Sequence, residues 1–205
     1  MKVLLVNGSL HEKGCTYTAL CEVEKALNAN GVETELYWIG QTQKSGCKGC
    51  WACKKSGKCV IDDGVNEFVE KAESFDGFVF GSPVYYASAA GAMLSFMDRV
   101  FYSGGKKLAY KPAASVVSCR RGGASTTFDV LNKYYTINNM PVVGSNYWNE
   151  VHGNKPEEVL QDEEGLQTMR ILGNNMAWLL KCIELGKQAG LAPEKERKIM
   201  TNFIR

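Results

Sequence analysis

Five short apolar runs, separated by stretches of helical periodicity, confine this chain to one broad architecture. The runs at residues 3–6, 33–39, 77–80, 113–118 and 141–144 show little polar alternation. Strands need that character when helices cover both faces of a parallel sheet. Between them, residues 16–28, 65–74, 89–101 and 125–136 carry apolar side chains three and four apart, and a last helix is expected over about 163–189. Asn30-Gly31 is a helix stop. The order is βαβαβ, which predicts an α/β fold with a doubly wound, five-stranded parallel sheet. Two segments depart from the pattern. Residues 40–64 hold a cluster of cysteines, and residues 147–161 are polar with Trp148, His152 and Pro156. Long irregular insertions in a compact domain are usually functional or disordered.

A chain of 205 residues, 45% hydrophobic, has enough apolar side chains for one core, so a single domain over 1–205 is expected. The insertion at about 40–64 and a C-terminal helix and tail at about 163–205 belong to it. The formal charge of +2 is spread among alternating acids and bases, which argues against a nucleic-acid partner. The apolar start at residues 3–6 ends at Asn7-Gly8-Ser9, short of a signal-peptide core. No apolar stretch approaches the roughly 20 residues that span a bilayer. No membrane association is expected, and the cytoplasm is the expected location. Eight cysteines in a chain with this much core do not suggest a secreted disulfide scaffold.

Three strand ends carry the chemistry. Asn7-Gly8-Ser9-Leu10-His11-Glu12-Lys13-Gly14-Cys15-Thr16-Tyr17-Thr18 joins the first strand to the first helix. Free amides at a helix start, with hydroxyls nearby, hold a phosphate without a basic side chain. The loop lacks the GxGxxG and GxxxxGK[ST] spacings, and the phosphate of flavin mononucleotide (FMN) suits what remains. The plainer alternative is that Thr16 only caps the helix. Ser9, Leu10, Cys15, Thr16, Tyr17 and Thr18 are the candidate cofactor contacts here, with His11 and Lys13 read as solvated. After the third strand, Pro83, Val84, Tyr85 and Tyr86 offer a flat apolar face and backbone groups for a flavin ring. After the fourth, Ser118, Arg120, Gly122 and Gly123 form a loop that permits close backbone approach. Arg120 and Arg121 read first as a solvated pair and otherwise as contacts for a pyridine-nucleotide phosphate or an acidic substrate. Ligands of open α/β sheets bind beyond the carboxyl ends of such strands.

Cys47, Cys50, Cys53 and Cys59 have CxxCxxCx5C spacing. A four-iron four-sulfur cluster needs four thiolates in such a set. An empty or disulfide-containing loop and a zinc site are the alternatives, although structural zinc usually draws on two separated pairs. Trp51 is expected to anchor the loop, and Lys48, Lys54, Lys55 and Lys58 to offset a cluster's charge or remain solvated. Cys21 and Cys182 are read as small core residues, and Cys15 and Cys119 as packing beside the cofactor.

Taken together, these residues resemble the flavodoxin-like NAD(P)H-dependent FMN reductases, and within them the iron-sulfur flavoproteins. The marks are Gly8-Ser9 before Thr16-Tyr17-Thr18, the Gly81-Ser82-Pro83-Val84-Tyr85-Tyr86 loop, and the four-cysteine motif followed by Asp62-Asp63. One departure is Leu10-His11-Glu12, where the iron-sulfur branch is expected to have Pro-Arg-Lys. The resemblance implies a flavodoxin-like sheet, tightly bound FMN, and homodimers or homotetramers with the flavin near a subunit boundary. The expected activity is hydride transfer from NAD(P)H to FMN, then electron transfer to a small-molecule acceptor or a ferredoxin-like protein. No side chain is assigned a proton-transfer role, because flavin N5 carries the chemistry. A carrier that only exchanges electrons with ferredoxin and a zinc-holding binding module are the competing readings.

Overall fold

In the computed structural model, which describes residues 1–204, β1 (Lys2–Asn7) lies between two parallel neighbours. It pairs with β2 (Glu33–Trp38) through Lys2↔Glu33 to Asn7↔Trp38, and with β3 (Gly77–Tyr85) through Val3↔Gly77 to Asn7↔Gly81. The helix between β1 and β2 is α1 (Cys15–Ala29). After β2 come the short α2 (Ala52–Ser56), inside the cysteine segment, and α3 (Val65–Ala72). Then β4 (Ser88–Ala89) folds back antiparallel on the end of β3, and α4 (Gly91–Leu108) leads to β5 (Ala113–Cys119). The chain closes with α5 (Ala124–Thr136), β6 (Glu150–His152), α6 (Pro156–Val159) and α7 (Glu163–Gln188).

The strand order β2-β1-β3-β5-β6 is the doubly wound order predicted, with its switch between β1 and β3. Successive residues of a strand point to opposite faces, so the apolar runs feed two cores. Leu4, Val6, Phe78 and Phe80 pack with Phe68, Met93 and Phe96 of α3 and α4. Val3, Leu5, Val79 and Val116 pack with Leu20 and Val23 of α1 and with Leu172 and Met176 of α7. The α1–α7 crossing is close because residue 173 is glycine: a Cβ there would lie 2.6 Å from Ala26 Cβ and 2.8 Å from the Val23 carbonyl oxygen.

The fifth strand differs from expectation. Around residues 141–144 the chain makes one isolated parallel bridge, Ala113↔Val142. The intervening polar segment leaves the sheet, and pairing resumes at Glu150–His152 alongside Val117–Cys119. The apolar run starts the strand and the polar run completes it. α4 also extends seven residues beyond the predicted end at 101, to Leu108, and β3 runs on to Tyr85. Cys182 is exposed on α7 rather than in the core, and Cys21 is half-buried. Among the described residues, no helix is long and apolar enough to cross a membrane.

Candidate functional site

Beyond the carboxyl ends of β1, β3 and β5, three loops enclose a crevice of about 700 Å³. That size is in the range of small-molecule and cofactor sites. The first loop is organised by Asn7, whose side chain is buried at the end of β1. Its Oδ1 accepts from the Ser9 N–H at 3.0 Å, and its Nδ2 donates to the Glu12 carbonyl at 2.8 Å. Trp38 Nε1 donates to the Ser9 carbonyl at 2.8 Å, tying the loop to β2. The Ser9 hydroxyl accepts from the His11 N–H at 3.1 Å.

The start of α1 faces this crevice. Its N-cap, Gly14, supplies no side-chain hydrogen bond, and the first turn holds no acidic residue. The Thr18 N–H closes on the Gly14 carbonyl at 3.1 Å, so the preceding amides of Cys15, Thr16 and Tyr17 are the open donors of the helix end. Thr16 is buried, and its hydroxyl lies 2.8 Å from that of Ser118, which locks α1 to the end of β5. Thr16 is therefore not the cap. It joins two of the crevice walls.

The second wall is the end of β3. Pro83, Val84 and Tyr85 line the crevice, and Ser82 Oγ accepts from the Ala90 N–H at 3.1 Å, fixing the loop to the start of α4. Tyr86 sits at the hairpin tip, fully exposed and in the left-handed region at φ 61°. The third wall comes from β5, with Ser118, Cys119 and Arg120 on the lining. Gly123 has φ 86°, and a Cβ there would approach Val84 Cγ1 to 2.9 Å, so glycine lets the second and third loops meet.

Of the residues expected at the cofactor, Ser9, Cys15, Thr16, Pro83, Val84, Tyr85, Ser118 and Arg120 come together on this lining. Leu10, Tyr17, Thr18, Tyr86, Gly122 and Gly123 stand outside it. His11 and Lys13, read as solvated, line it while remaining exposed. Sequence reasoning also passed over Gln41 and a fourth wall, Gly153, Asn154, Lys155 and Pro156, supplied by the polar segment that completes the fifth strand. Cys15 Sγ approaches the Gly153 carbonyl at 3.6 Å, and Cys119 Sγ lies 3.4 Å from His152 Nδ1. Burial pushes both of these thiols up from their ordinary range.

Cys47, Cys50, Cys53 and Cys59 line a second, separate pocket together with Trp51, Val60, Ile61, Arg99 and Tyr102. Trp51, at φ 60°, packs edge-on against Tyr102 with centroids 5.9 Å apart, and Lys54 Nζ lies 3.8 Å from its ring centre. The loop is fastened to α4 by Arg99, which is 1% exposed and pairs with Asp63. That pairing holds the Asp63 carboxyl below the usual carboxylate range. Nothing in the sequence spacing marked Arg99. Cys59 is also held through its backbone, with its N–H donating to Asn66 Oδ1 at 2.8 Å and its carbonyl accepting from Asn66 Nδ2 at 2.9 Å. Four thiols lining one cavity have the donor chemistry of an iron-sulfur site. They surround the cavity without converging: among the described residues no three Cys, His, Asp or Glu side chains gather closely enough to hold a lone metal ion.

The NADPH-dependent FMN reductase family matches residues 1–155. An iron-sulfur flavoprotein of Methanocaldococcus jannaschii is 32% identical over 195 residues, covering 90% of this chain and all of the relative. The iron-sulfur flavoprotein of Methanosarcina thermophila is 30% identical over 190 residues, covering 90% of this chain and 97% of its own length. Among solved structures, a flavodoxin from the Archaea superposes with a TM-score of 0.61 at 14% identity, covering 88% of this chain and 99% of the flavodoxin, a likeness of fold. This chain belongs to the NADPH-dependent FMN reductase family, and its relatives are iron-sulfur flavoproteins.

Proposed function

We propose that the chain is an FMN-dependent oxidoreductase that draws reducing equivalents from NAD(P)H and passes them to an acceptor by way of the cysteine pocket. The observation that carries this reading is the open start of α1, directed into a crevice walled by three strand ends. FMN, when bound, supplies hydride acceptance and the release of electrons one at a time. The chain's part is to bind and orient. The amides of Cys15 and Thr16 and the hydroxyl of Ser9 would receive the phosphate, favoured by the helix dipole. Pro83, Val84 and Tyr85 offer the apolar face for the ring. Lys13, Arg120 and Lys155 line the same crevice and provide cations for the phosphates of a pyridine nucleotide.

Cys47, Cys50, Cys53 and Cys59 would hold a four-iron four-sulfur cluster. Thiols spread around a cavity suit a cluster, whose irons each take one sulfur ligand, better than a zinc ion, which needs four sulfurs about 2.3 Å from a single point. The domain acts as a unit with the cysteine segment as an insertion. The test is anaerobic. Purified protein is expected to bind FMN and to lose its yellow colour on addition of NADH or NADPH. A protein that does not take up FMN refutes the crevice assignment. Flavin that stays oxidised with both nucleotides but is reduced by ferredoxin replaces the reductase reading with an electron carrier. Lys48 on the lining of the cysteine pocket and Lys54 over Trp51 are cations that would suit an acidic protein surface in that second reading, whereas Lys58 is paired with Glu70.

A further inference from the structure

Arg99 has five N–H donors, and all five are used inside the cysteine segment. Nε donates to Cys59 Sγ at 3.2 Å. One terminal nitrogen donates to the Ser45 carbonyl at 3.2 Å and to Asp63 Oδ2 at 2.5 Å. The other donates to the Ile61 carbonyl at 2.8 Å and to Asp63 Oδ1 at 2.7 Å. Two carbonyls and a bidentate carboxylate already suffice to fasten the loop. The remaining donor is aimed at sulfur, a weak acceptor when neutral and a strong one when it carries charge. The cation is buried and its counter-charge is not: Arg99 is 1% exposed and Asp63 24%.

Resting on the cluster assignment above, we propose that Arg99 and Asp63 are a charge pair that sets the reduction potential of the centre held by Cys47, Cys50, Cys53 and Cys59. Reduction adds one electron and one negative charge to that centre, with no bond made or broken. A hydrogen bond to a ligand sulfur and a nearby buried cation stabilise the reduced form and raise the potential. The Asp63 carboxylate opposes the cation and holds the potential down. Arg99 is a positioning residue for the loop and an electrostatic one for the electron.

The two partners must act with opposite sign. Arg99→Lys keeps the charge but loses Nε and the planar fork, so the cluster potential falls. Asp63→Asn keeps the shape and leaves Arg99 uncompensated, so the potential rises. A purely structural role loosens the same loop in both variants, admits water, and moves both potentials in one direction. The experiment compares wild type, R99K and D63N prepared anaerobically, with iron and acid-labile sulfide counted and midpoint potentials read by EPR-monitored titration. The flavin midpoint serves as an internal reference expected to stay unchanged. Opposite shifts support the pair; shifts in one direction, or none in loaded protein, overturn it. If R99K retains no iron, the comparison is D63N against Asp62→Asn, which removes a neighbouring carboxylate without touching Arg99. A larger upward shift in D63N then supports the pair and equal shifts overturn it. Wild type that holds no iron refutes the cluster assignment and this proposal with it, an outcome distinct from unshifted potentials in a loaded protein.

Discussion

Asn7→Ala removes the side chain that shapes the loop between β1 and α1 while leaving every proposed cofactor contact in place. The Asn7 carboxamide is 1% exposed and bridges the Ser9 N–H and the Glu12 carbonyl. Two hydrogen bonds are lost, each worth about 1 kcal/mol net. If the loop kept its shape, the Ser9 amide, in a residue 3% exposed, would also be stranded at a cost of about 1–3 kcal/mol. A surface loop avoids that second cost by opening to water. What remains is a shift of about 2 kcal/mol towards the open form, and whatever closed form is lost must be restored each time FMN binds. Affinity falls by the fraction of protein that is binding-competent. At 1.4 kcal/mol per decade, this corresponds to at most roughly 30-fold weaker FMN binding. The assay is titration of apoprotein with FMN, followed by flavin fluorescence quenching at fixed ionic strength. Thr18→Ala serves as control, since its hydroxyl bonds only within the helix, to the Gly14 carbonyl at 3.2 Å. An Asn7→Ala protein that binds FMN within about threefold of wild type would refute the claim that this loop is held by Asn7.

Three further outcomes are expected. Replacing Cys47, Cys50, Cys53 and Cys59 together by serine should abolish iron and sulfide content and leave FMN stoichiometry unchanged, because the two pockets share no lining residue. Gly173→Val should lower thermal stability by about 1–3 kcal/mol through overpacking, or about 2–12 °C in Tm for a chain of this length; an unchanged melt would contradict the close α1–α7 crossing. Acidification tests the Asp63–Arg99 pair. The folded Asp63 carboxyl lies below its ordinary value, so the unfolded chain takes up its proton first. The pair's contribution is complete above about pH 4 and is lost as pH falls through the folded value. Urea midpoints measured down to about pH 3 should decline more steeply for wild type than for D63N, and parallel curves would remove the pair from the stability of the fold.

Much of this molecule can be read from short-range pattern. Strands buried on both faces announce themselves as unalternating apolar runs, and Val3 to Val6 and Phe78 to Phe80 divide between two cores as that pattern demands. The loop between β1 and α1 is legible too, because it follows an apolar run and opens a helical one. The pattern fails where a contact joins distant segments by polar groups. Arg99 looks like an ordinary helix residue, and only the fold brings residues 45, 59, 61 and 63 to its donors. The crevice's fourth wall has the same cause: Gly153 to Pro156 read as a polar excursion, yet the last strand resumes just before them and carries them to the site. Cys182 shows the converse error. It follows helical spacing, but on the solvent side of α7.

α4 runs from the loop that forms one crevice wall to the cysteine pocket, and this makes it a ruler. Its start is bonded through Ala90 to Ser82 beside the crevice, and nine residues further on Arg99 grips the cysteine segment. At 1.5 Å per residue, that interval is about 13 Å along the axis. Loop lengths on either side can vary without changing it. A single residue inserted between positions 90 and 99 would turn Arg99 by about 100° and detach the cysteine segment, whereas an inserted full turn would restore its facing and set the two pockets about 5 Å further apart. The distance between them is therefore written into one helix, in whole turns.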